Sequence, residues 1–229
     1  VLCKTITGRD ECRKDSINEE DWISMGIEHQ LSQGQVLNNA QLRHLFKCST
    51  QGGMRRSLKT NTLVIISNHL ESIYEDRWVN DVFHYTGMGQ RGNQSLNSAQ
   101  NKTLANSDRN GVEVYLFEVE RDAEYIYQGR VGLAGTPYTE RQPDADGNER
   151  DVVVFPLKLI GSNPVPFSKD LFEQSQKVRE RKARKLSLEE LKEKANRTRK
   201  RAGERKVQSI QFERDPYVAL FTKKRANGV

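Results

Sequence analysis

Few residues of this 229-residue sequence have the types and spacing that chemistry requires. The stretch from Gly87 to Gly92 fits the G-x-G-x-x-G pattern that cradles dinucleotide phosphates, and it follows a predicted strand. Such a site also needs an apolar-faced helix directly afterwards and strands that alternate with helices. The residues that follow are NQSLNSAQN, which are polar and typical of turns. The pattern therefore does not predict a dinucleotide-binding enzyme.

The histidines and cysteines form no catalytic or metal-binding pattern either. The four histidines are scattered, and the three cysteines contain no C-x-x-C pair: His29, His44, His69 and His84; Cys3, Cys12 and Cys48. No nucleophile with a neighbouring base can be read from the sequence. We therefore expect no catalytic residues, cofactor or metal in this chain. The cysteine usage favours a reducing, cytoplasmic setting, and no apolar run is long enough to span a membrane.

The elements that would position a site are mostly short strands. Five runs rich in β-branched and aromatic residues predict strands over 62–67, 82–86, 112–119, 124–131 and 152–159. Because helices do not alternate with these strands, we predict an α+β fold with a mostly antiparallel sheet that curls toward a barrel. Pro156 predicts an edge position or a bulge for the last strand. Asn38 or Asn39 is expected to cap a helix that carries Leu42 and Phe46.

The C-terminal part of the chain changes in composition. Between 173 and 206 there are 14 Lys or Arg residues and six Asp or Glu residues, so this segment has a charge of +8. The whole chain has a net charge of +6, so the remaining residues together carry a charge of about −2. Capping signals at Ser168 and Ser187 predict two helices here, and Asp215-Pro216 predicts a third. Their apolar stripes are narrow, so a solvated basic spacer is the favoured interpretation. Any nucleic-acid site in the remainder must be a local patch.

Several ordered motifs between Gly52 and Leu159 resemble the SRA (SET and RING associated) domain family. They are a strand leading to Tyr74-Glu75-Asp76, the step Tyr85-Thr86-Gly87-Met88-Gly89, a Gln- and Asn-rich stretch, and the late strand with Tyr127-Gln128-Gly129. Members of this family read modified cytosine in DNA. The resemblance implies an SRA-like, PUA-like fold and a base that is flipped out of the duplex. Flipping costs a few kcal/mol of unstacking but exposes every edge of the base to a pocket.

The resemblance also implies roles for individual residues. Tyr74 and Tyr85 match the two rings that stack on the flipped base, and Asp76 matches the acid that accepts from the cytosine amino group. The interval between the tyrosines is one residue short of the animal pattern, so Asp81 or Glu75 stay alternatives for the acid. The wall beside the C5 substituent is expected at Thr86, Gly87 and Met88.

Two loops and a set of basic residues complete the predicted interface. The resemblance implies that two loops enter the duplex at the place that the flipped base has left. The residues of this sequence that match these loops are His69 and Leu70 in one, and Gln90, Arg91, Asn93 and Gln94 in the other. Phosphate contacts, which position a protein on DNA without reading sequence, are expected from Arg55, Arg56, Lys59 and Lys102.

The resemblance is closest to the SRA-like region of Mcr-type, type IV restriction endonucleases, where an HNH nuclease follows. We expect an N-terminal helical segment at 1–35, the SRA-like domain at 36–165, a basic helical linker at 166–206, and at 207–229 the approach to a nuclease domain that would hold any divalent metal. The expected partner is double-stranded DNA with 5-methylcytosine or 5-hydroxymethylcytosine, without a membrane, and a homodimer is left open. The alternative is a nonspecific nucleic-acid-binding or oligomerisation module that uses the basic helices.

Overall fold

The computed structural model describes residues 27–70, 74–166, 169–197, 204–206, 210–212 and 215–226. The strands are β1 Val36–Leu37, β2 Met54–Ser57, β3 Thr62–Asn68, β4 Arg77–Val79, β5 Val82–Thr86, β6 Glu113–Arg121, β7 Glu124–Leu133, β8 Tyr138–Pro143, β9 Glu149–Leu159, β10 Glu204–Lys206 and β11 Ile210–Phe212. The helices are α1 Asn39–Phe46, α2 Ala99–Ala105, α3 Lys169–Arg184, α4 Leu188–Arg197 and α5 Pro216–Ala226, and a 3₁₀ turn spans Ile27–Gln30. Residues 1–26 of the expected N-terminal helical segment lie outside the described residues. No described helix is long and apolar enough to cross a bilayer.

The described strands form one sheet in the order β11-β10-β4-β5-β9-β7-β6-β3-β2, while β1 pairs with β7 and β8 pairs with β9. Every pairing is antiparallel except that of β3 with β6. The predicted α+β class with a mostly antiparallel sheet is confirmed, and all five predicted strands are present. Strands β1, β2, β4, β8 and β10 were not predicted, because each is too short or too polar to show the alternation of a half-buried strand.

The central strands separate two apolar cores. Along β6, Val114 and Leu116 face one core, whereas Tyr115 and Phe117 face the other. This alternation follows from the pleat, which points successive side chains to opposite faces of the sheet. The first core also holds Phe83, Phe155 and Leu157, and the second is covered by Leu42 and Phe46 of α1. Both faces of the middle of the sheet are therefore buried, and they form a rigid base for the loops at its edges.

The prediction for Pro156 needs correction, because β9 is an interior strand. On one side it pairs with β5, where Pro156 lies opposite His84. On the other side its neighbour changes from β8, which pairs as far as Val154, to β7, which pairs from Leu157 onward. Pro156 falls in the gap between these two ladders, and its carbonyl accepts from the Ala134 amide at 2.8 Å. Proline has no backbone amide hydrogen, and at this position none is needed for a hydrogen bond between strands.

The predicted helix caps are confirmed at three helices. Asn38 caps α1 through a capping box with Gln41, and Ser187 and Glu190 form the same reciprocal bonds at the start of α4. Asp215 accepts from the Tyr217 and Val218 amides at the start of α5. Ser168 lies outside the described residues. The sequence analysis missed α2, whose buried residues are Asn101 and Leu104, because its polar composition is typical of a loop.

The C-terminal helices differ from the solvated spacer that their composition predicts. We call α3, α4 and α5 the helical unit. Ala183 of α3 and Leu191 of α4 are fully buried, and α5 packs against both helices. Arg121 of β6 donates to Gln174 of α3 at 2.6 Å, and Glu204 of β10 pairs with Trp78 of β4. A narrow apolar stripe is sufficient here because three helices share one small core.

Candidate nucleic-acid interface

The β4–β5 hairpin brings the predicted base-reading residues together. Asp76 immediately precedes β4, and Thr86 ends β5. Asn80, with φ of 53°, makes the tight turn between the strands, a conformation that asparagine tolerates. The Asp76 carboxylate then accepts from the Thr86 amide at 2.8 Å. The spacing of nine residues between Asp76 and Tyr85 is thus the length of a hairpin folded back on itself.

Asp76 is deeply buried, with 6% of its surface exposed. Burial raises the pKa of this carboxyl above its usual range, against the opposing effect of hydrogen bonds from the Thr86 amide and the Ser67 hydroxyl. The alternative acid Asp81 is exposed in the hairpin turn, and Glu75 is half-buried, with its amide bonded to Gln142. The arrangement therefore favours Asp76 among the three acids.

The two predicted stacking rings both lie near this carboxyl, but in very different surroundings. Tyr74 is half-buried, and its hydroxyl donates to the Gly89 carbonyl at 3.1 Å. Tyr85 is only 3% exposed, packs beside Phe83 in the first core, and donates to the Gly53 carbonyl at 2.9 Å. Burial raises the pKa of both phenols, and that of Tyr85 the more strongly. Only Tyr74 offers a ring that solvent reaches in this structure.

Gln142 of β8 links the surrounding backbone to this centre. Its amide nitrogen donates to the Thr86 hydroxyl at 3.2 Å, and its oxygen accepts from the Glu75 amide at 3.3 Å. We call Tyr74, Asp76, Tyr85, Thr86 and Gln142 the Asp76 cluster. Sequence reasoning missed Gln142, because a glutamine in a turn-rich stretch gives no signal of the strand it joins.

A second buried acid lies next to the Asp76 cluster. Glu118 of β6 is fully buried, accepts from the Trp78 indole at 3.3 Å and lies 2.9 Å from the His69 ring. His69 also approaches the Ser67 hydroxyl at 3.3 Å. One signal for Glu118 was in the sequence, namely an acid within the apolar run VEVYLFEV, but the residues that pair with it come from distant segments.

His69 and Leu70 differ from the wedge that the resemblance implies. The His69 side chain is 6% exposed and held by Glu118, and Leu70 packs against the second core. Neither side chain is free to enter a groove of DNA in this structure. The loop position suggested exposure, but the buried acid draws the imidazole inward.

Close packing fixes the loop after β5. A Cβ at Gly87 would lie 2.7 Å from the Asn101 side-chain oxygen and 3.1 Å from Phe155, so only glycine fits there. The Asn101 side chain accepts from the Met88 amide at 2.8 Å and donates to the Met88 carbonyl at 3.2 Å. The Gln94 side chain donates to the Gly87 carbonyl at 2.7 Å and accepts from Val153 at 3.0 Å. Gln94 thus holds the loop instead of projecting from it.

Three residues of the same loop are exposed, as an intercalating finger requires. Gln90, Arg91 and Asn93 face solvent. Arg91 pairs with Asp146 at 2.7 Å, and Asn93 accepts from the Asp151 amide at 2.9 Å. The loop is therefore tied to the β8–β9 hairpin at two points, one in its turn and one in β9, while these three residues stay exposed.

Two of the four residues predicted to contact phosphate have structural roles instead. Arg55 is 4% exposed, donates to Asn39 at 2.7 Å and to the Gly52 carbonyl at 2.9 Å, and lies over the Tyr125 ring. Arg56 donates to the Ser57 and Thr62 carbonyls and to Asn61. Lys59 and Lys102 are exposed. The GGMRRS segment therefore contributes its arginines to the fold, because β2 turns them toward neighbouring loops.

The match to a family model identifies this fold. Residues 33–176 match the family described as ScoMcrA-like, SRA domain. The chain belongs to this SRA family. The match covers β1 to β9 with α1 and α2, the Asp76 cluster and the first part of α3, and it confirms the SRA resemblance of the sequence. No curated protein sequence matches the chain.

Solved structures with a similar fold are distant. The sulfur-binding and SRA domains of ScoMcrA, solved with phosphorothioated DNA, share 14% identity over 64% of this chain and 45% of that one, with a TM-score of 0.49. The SRA domain of SUVH5, solved with hemi-methylated CG DNA, shares 23% identity over 60% of this chain and 94% of that one, with a TM-score of 0.44. The modification-dependent TagI restriction endonuclease shares 21% identity over 57% of this chain and 50% of that one, with a TM-score of 0.44. The chain matches less than half the length of the ScoMcrA structures.

Proposed function

We propose that this chain binds double-stranded DNA that carries a modified cytosine and that it reads the base after flipping it out of the helix. Membership of the SRA family supports binding of modified DNA. The observation that carries the finer proposal is the buried Asp76 carboxyl, which accepts a hydrogen bond from the Thr86 amide across the β4–β5 hairpin and lies near the Tyr74 and Tyr85 phenols.

The chemistry of the Asp76 cluster suits one edge of cytosine. A carboxyl oxygen accepts from the N4 amino group of cytosine, which thymine lacks. Thymine is therefore rejected by polarity. The half-buried ring of Tyr74 supplies a stacking face, worth about 1–3 kcal/mol per base. In this proposal Tyr85, fixed by Gly53, forms the back of the pocket.

The wall beside the C5 substituent is proposed at Thr86, Gly87 and Met88. Asn101 and Gln94 hold the backbone of this segment in place. A rigid wall discriminates by shape, because a methyl or hydroxymethyl group fills space that an unmodified cytosine leaves empty. Gln90, Arg91 and Asn93 are the proposed finger that occupies the space left by the base.

In the wider protein, we propose that the chain is the targeting part of a modification-dependent restriction endonuclease. The sequence resemblance places an HNH nuclease after such a module, and that nuclease would carry the metal and the cleavage chemistry. Within this chain the proposed activity is binding alone.

A binding titration tests the proposal. Duplexes identical except for one cytosine, 5-methylcytosine or 5-hydroxymethylcytosine are titrated with the chain at about 0.15 M salt. The proposal expects one modified duplex to bind at least about tenfold more tightly than the unmodified duplex, since the contacts that discriminate bases are worth about 1–3 kcal/mol each. Equal affinity for all three would refute it.

A further inference from the structure

Arg150 is a buried cation that the sequence analysis did not single out. It lies on β9, is 2% exposed, and its guanidinium carbon is 6.0 Å from the centre of the Tyr74 ring. One terminal nitrogen, Nη1, donates to the Gly89 carbonyl at 2.6 Å and to the Gly92 carbonyl at 3.2 Å. The Tyr74 hydroxyl donates to the same Gly89 carbonyl at 3.1 Å. Arg150 therefore contacts both the proposed stacking ring and the loop that carries the proposed finger.

The rest of the guanidinium is poorly satisfied. Its Nε and Nη2 atoms are buried and make no hydrogen bond of normal geometry, although the guanidinium also interacts with the Tyr74 hydroxyl. The described residues give Arg150 no ion pair. A buried, uncompensated charge is costly, and almost all such groups in folded proteins are satisfied by protein, water or ligand. Holding the loop requires only Nη1. The other two nitrogens need a separate explanation.

Nε and Nη2 form the side edge of the guanidinium fork. This edge donates two parallel hydrogen bonds to the paired oxygens of a carboxylate or phosphate. Neutral carbonyl groups, which Nη1 already engages, do not offset the positive charge. The chemistry of the missing partner is therefore an anion with two oxygen atoms on one centre.

We propose that the Nε–Nη2 edge of Arg150 binds an anionic two-oxygen group of the flipped nucleotide. This inference rests on the proposed function. Two groups of a nucleotide have this chemistry: the phosphodiester that flanks the flipped base, and a carboxylate on the C5 position. Because Arg150 lies against Tyr74, either group would be engaged only after the base has left the helix.

Substituted duplexes test the proposal on the wild-type chain. One duplex carries 5-methylcytosine with a neutral methylphosphonate on its 5′ or 3′ side, and another carries 5-carboxylcytosine. If the phosphodiester is the ligand, we expect a methylphosphonate to weaken binding at least about tenfold. A loss of this size is what the removal of one charge-assisted bidentate pair produces. If a C5 carboxylate is the ligand, 5-carboxylcytosine is expected to bind more tightly than 5-methylcytosine by a similar factor.

Variants assign the effect to Arg150. Arg150→Gln removes the charge, and Arg150→Lys keeps the charge but lacks the fork. Both are expected to lose the sensitivity to methylphosphonate or the preference for 5-carboxylcytosine, each judged as a ratio of affinities within the same variant. Arg141→Gln is the matched control, because this exposed arginine on the neighbouring strand pairs with Asp151 at 3.3 Å. It is expected to keep the wild-type response.

The outcomes separate the inference from the proposed function. If the wild-type chain prefers 5-methylcytosine but responds to neither substitution, the Arg150 proposal is wrong and the proposed function stands. The Arg150 proposal is also wrong if either Arg150 variant responds to the methylphosphonate or to 5-carboxylcytosine as the wild type does. If the wild-type chain does not distinguish modified from unmodified DNA, the proposed function fails first and takes this inference with it. Should Arg150→Gln fail to fold, Arg150→Lys and the wild-type comparison still decide.

Discussion

The Asp76 cluster and the helical unit handle charge in opposite ways. In the Asp76 cluster one acid is buried and hydrogen-bonded, and Arg150 beside it is buried with two donors unused. In the helical unit the charges are exposed, and their ion pairs are long, as in Lys169–Glu173 at 3.8 Å and Arg184–Glu180 at 3.7 Å. Exposed pairs of this kind contribute little energy, whereas buried polar groups contribute much when satisfied and cost much when not.

This difference suggests a division of labour. A polyanion such as DNA is attracted by exposed lysines and arginines without regard to sequence. Recognition of one base requires groups that are desolvated and fixed. We therefore expect the Asp76 cluster to determine which DNA is bound and the helical unit to affect only how tightly all DNA is bound.

Substitution of Asp76 tests the selective half of this comparison and has the largest expected effect. Asp76→Asn keeps one acceptor oxygen, which the Thr86 amide uses, and replaces the other with an NH2 donor that cannot accept from the cytosine amino group. Binding to 5-methylcytosine DNA is therefore expected to weaken on the order of tenfold to a hundredfold. Asp81→Asn, in the exposed turn of the same hairpin, is the matched control and is expected to bind like the wild type. Titration of both variants with modified and unmodified duplexes measures the effect. Unchanged selectivity in Asp76→Asn would remove the acid from the recognition mechanism.

Crowding the loop after β5 tests whether a rigid wall is needed. Gly87→Ala places a methyl group 2.7 Å from Asn101, and overpacking of this kind costs about 1–3 kcal/mol. Both the stability to urea and the selectivity are expected to fall. Gly135→Ala is the control, since its Cβ would make an ordinary contact of 3.6 Å with Pro156. A wall that matters only for folding would lower the stability of Gly87→Ala and leave its selectivity intact.

Removing positive charges from the helical unit tests its proposed contribution to the non-selective binding of DNA. In a chain with Arg181, Lys182 and Arg184 changed to glutamine, affinity is expected to fall a fewfold for modified and unmodified duplexes alike. The dependence of log affinity on log salt is expected to flatten, by up to about one unit for each lost phosphate contact. Binding measured across a salt series checks both effects. A selective loss for modified DNA would contradict the division of labour.

The smallest expected effect is on the pH dependence of stability. Because burial raises the pKa of Asp76 in the folded chain, the folded state holds this proton to higher pH than the unfolded state does. The contribution of Asp76 to stability is therefore greatest at low pH and falls as pH rises from about 4 through the folded pKa. Urea unfolding of wild type and Asp76→Asn across this range is expected to show the fall in the wild type only. Parallel pH profiles would contradict the burial of a titrating acid.

Much of the fold was predictable because its signals are local. The five predicted strands are rich in β-branched and aromatic residues, and the caps at Asn38, Ser187 and Asp215 each lie within three residues of the amides they bind. The short strands and α2 were missed, since each is too short or too polar to show a periodic pattern of its own. The packing of the helical unit was missed because it depends on contacts between helices and not on the composition of any one of them.

The site was predictable as a set of candidates but not as a geometry. The hairpin joins Asp76 to Thr86, so those two residues could be placed from spacing. Glu118, Gln142 and Arg150 come from other strands, and no short pattern announces them. The burial of Tyr85, and the inward turn of Arg55 and His69, depend on neighbours more than ten residues away.

Fluorescence of 2-aminopurine tests the central claim most directly, since it reports unstacking of the helix beside the modified base. The probe is placed next to, or opposite, a single 5-methylcytosine, and the wild-type chain is added to saturation. The account predicts a strong rise in fluorescence with the modified duplex, little change with its unmodified twin, and loss of the rise in Asp76→Asn. Saturated binding to the modified duplex with no rise in fluorescence would contradict it.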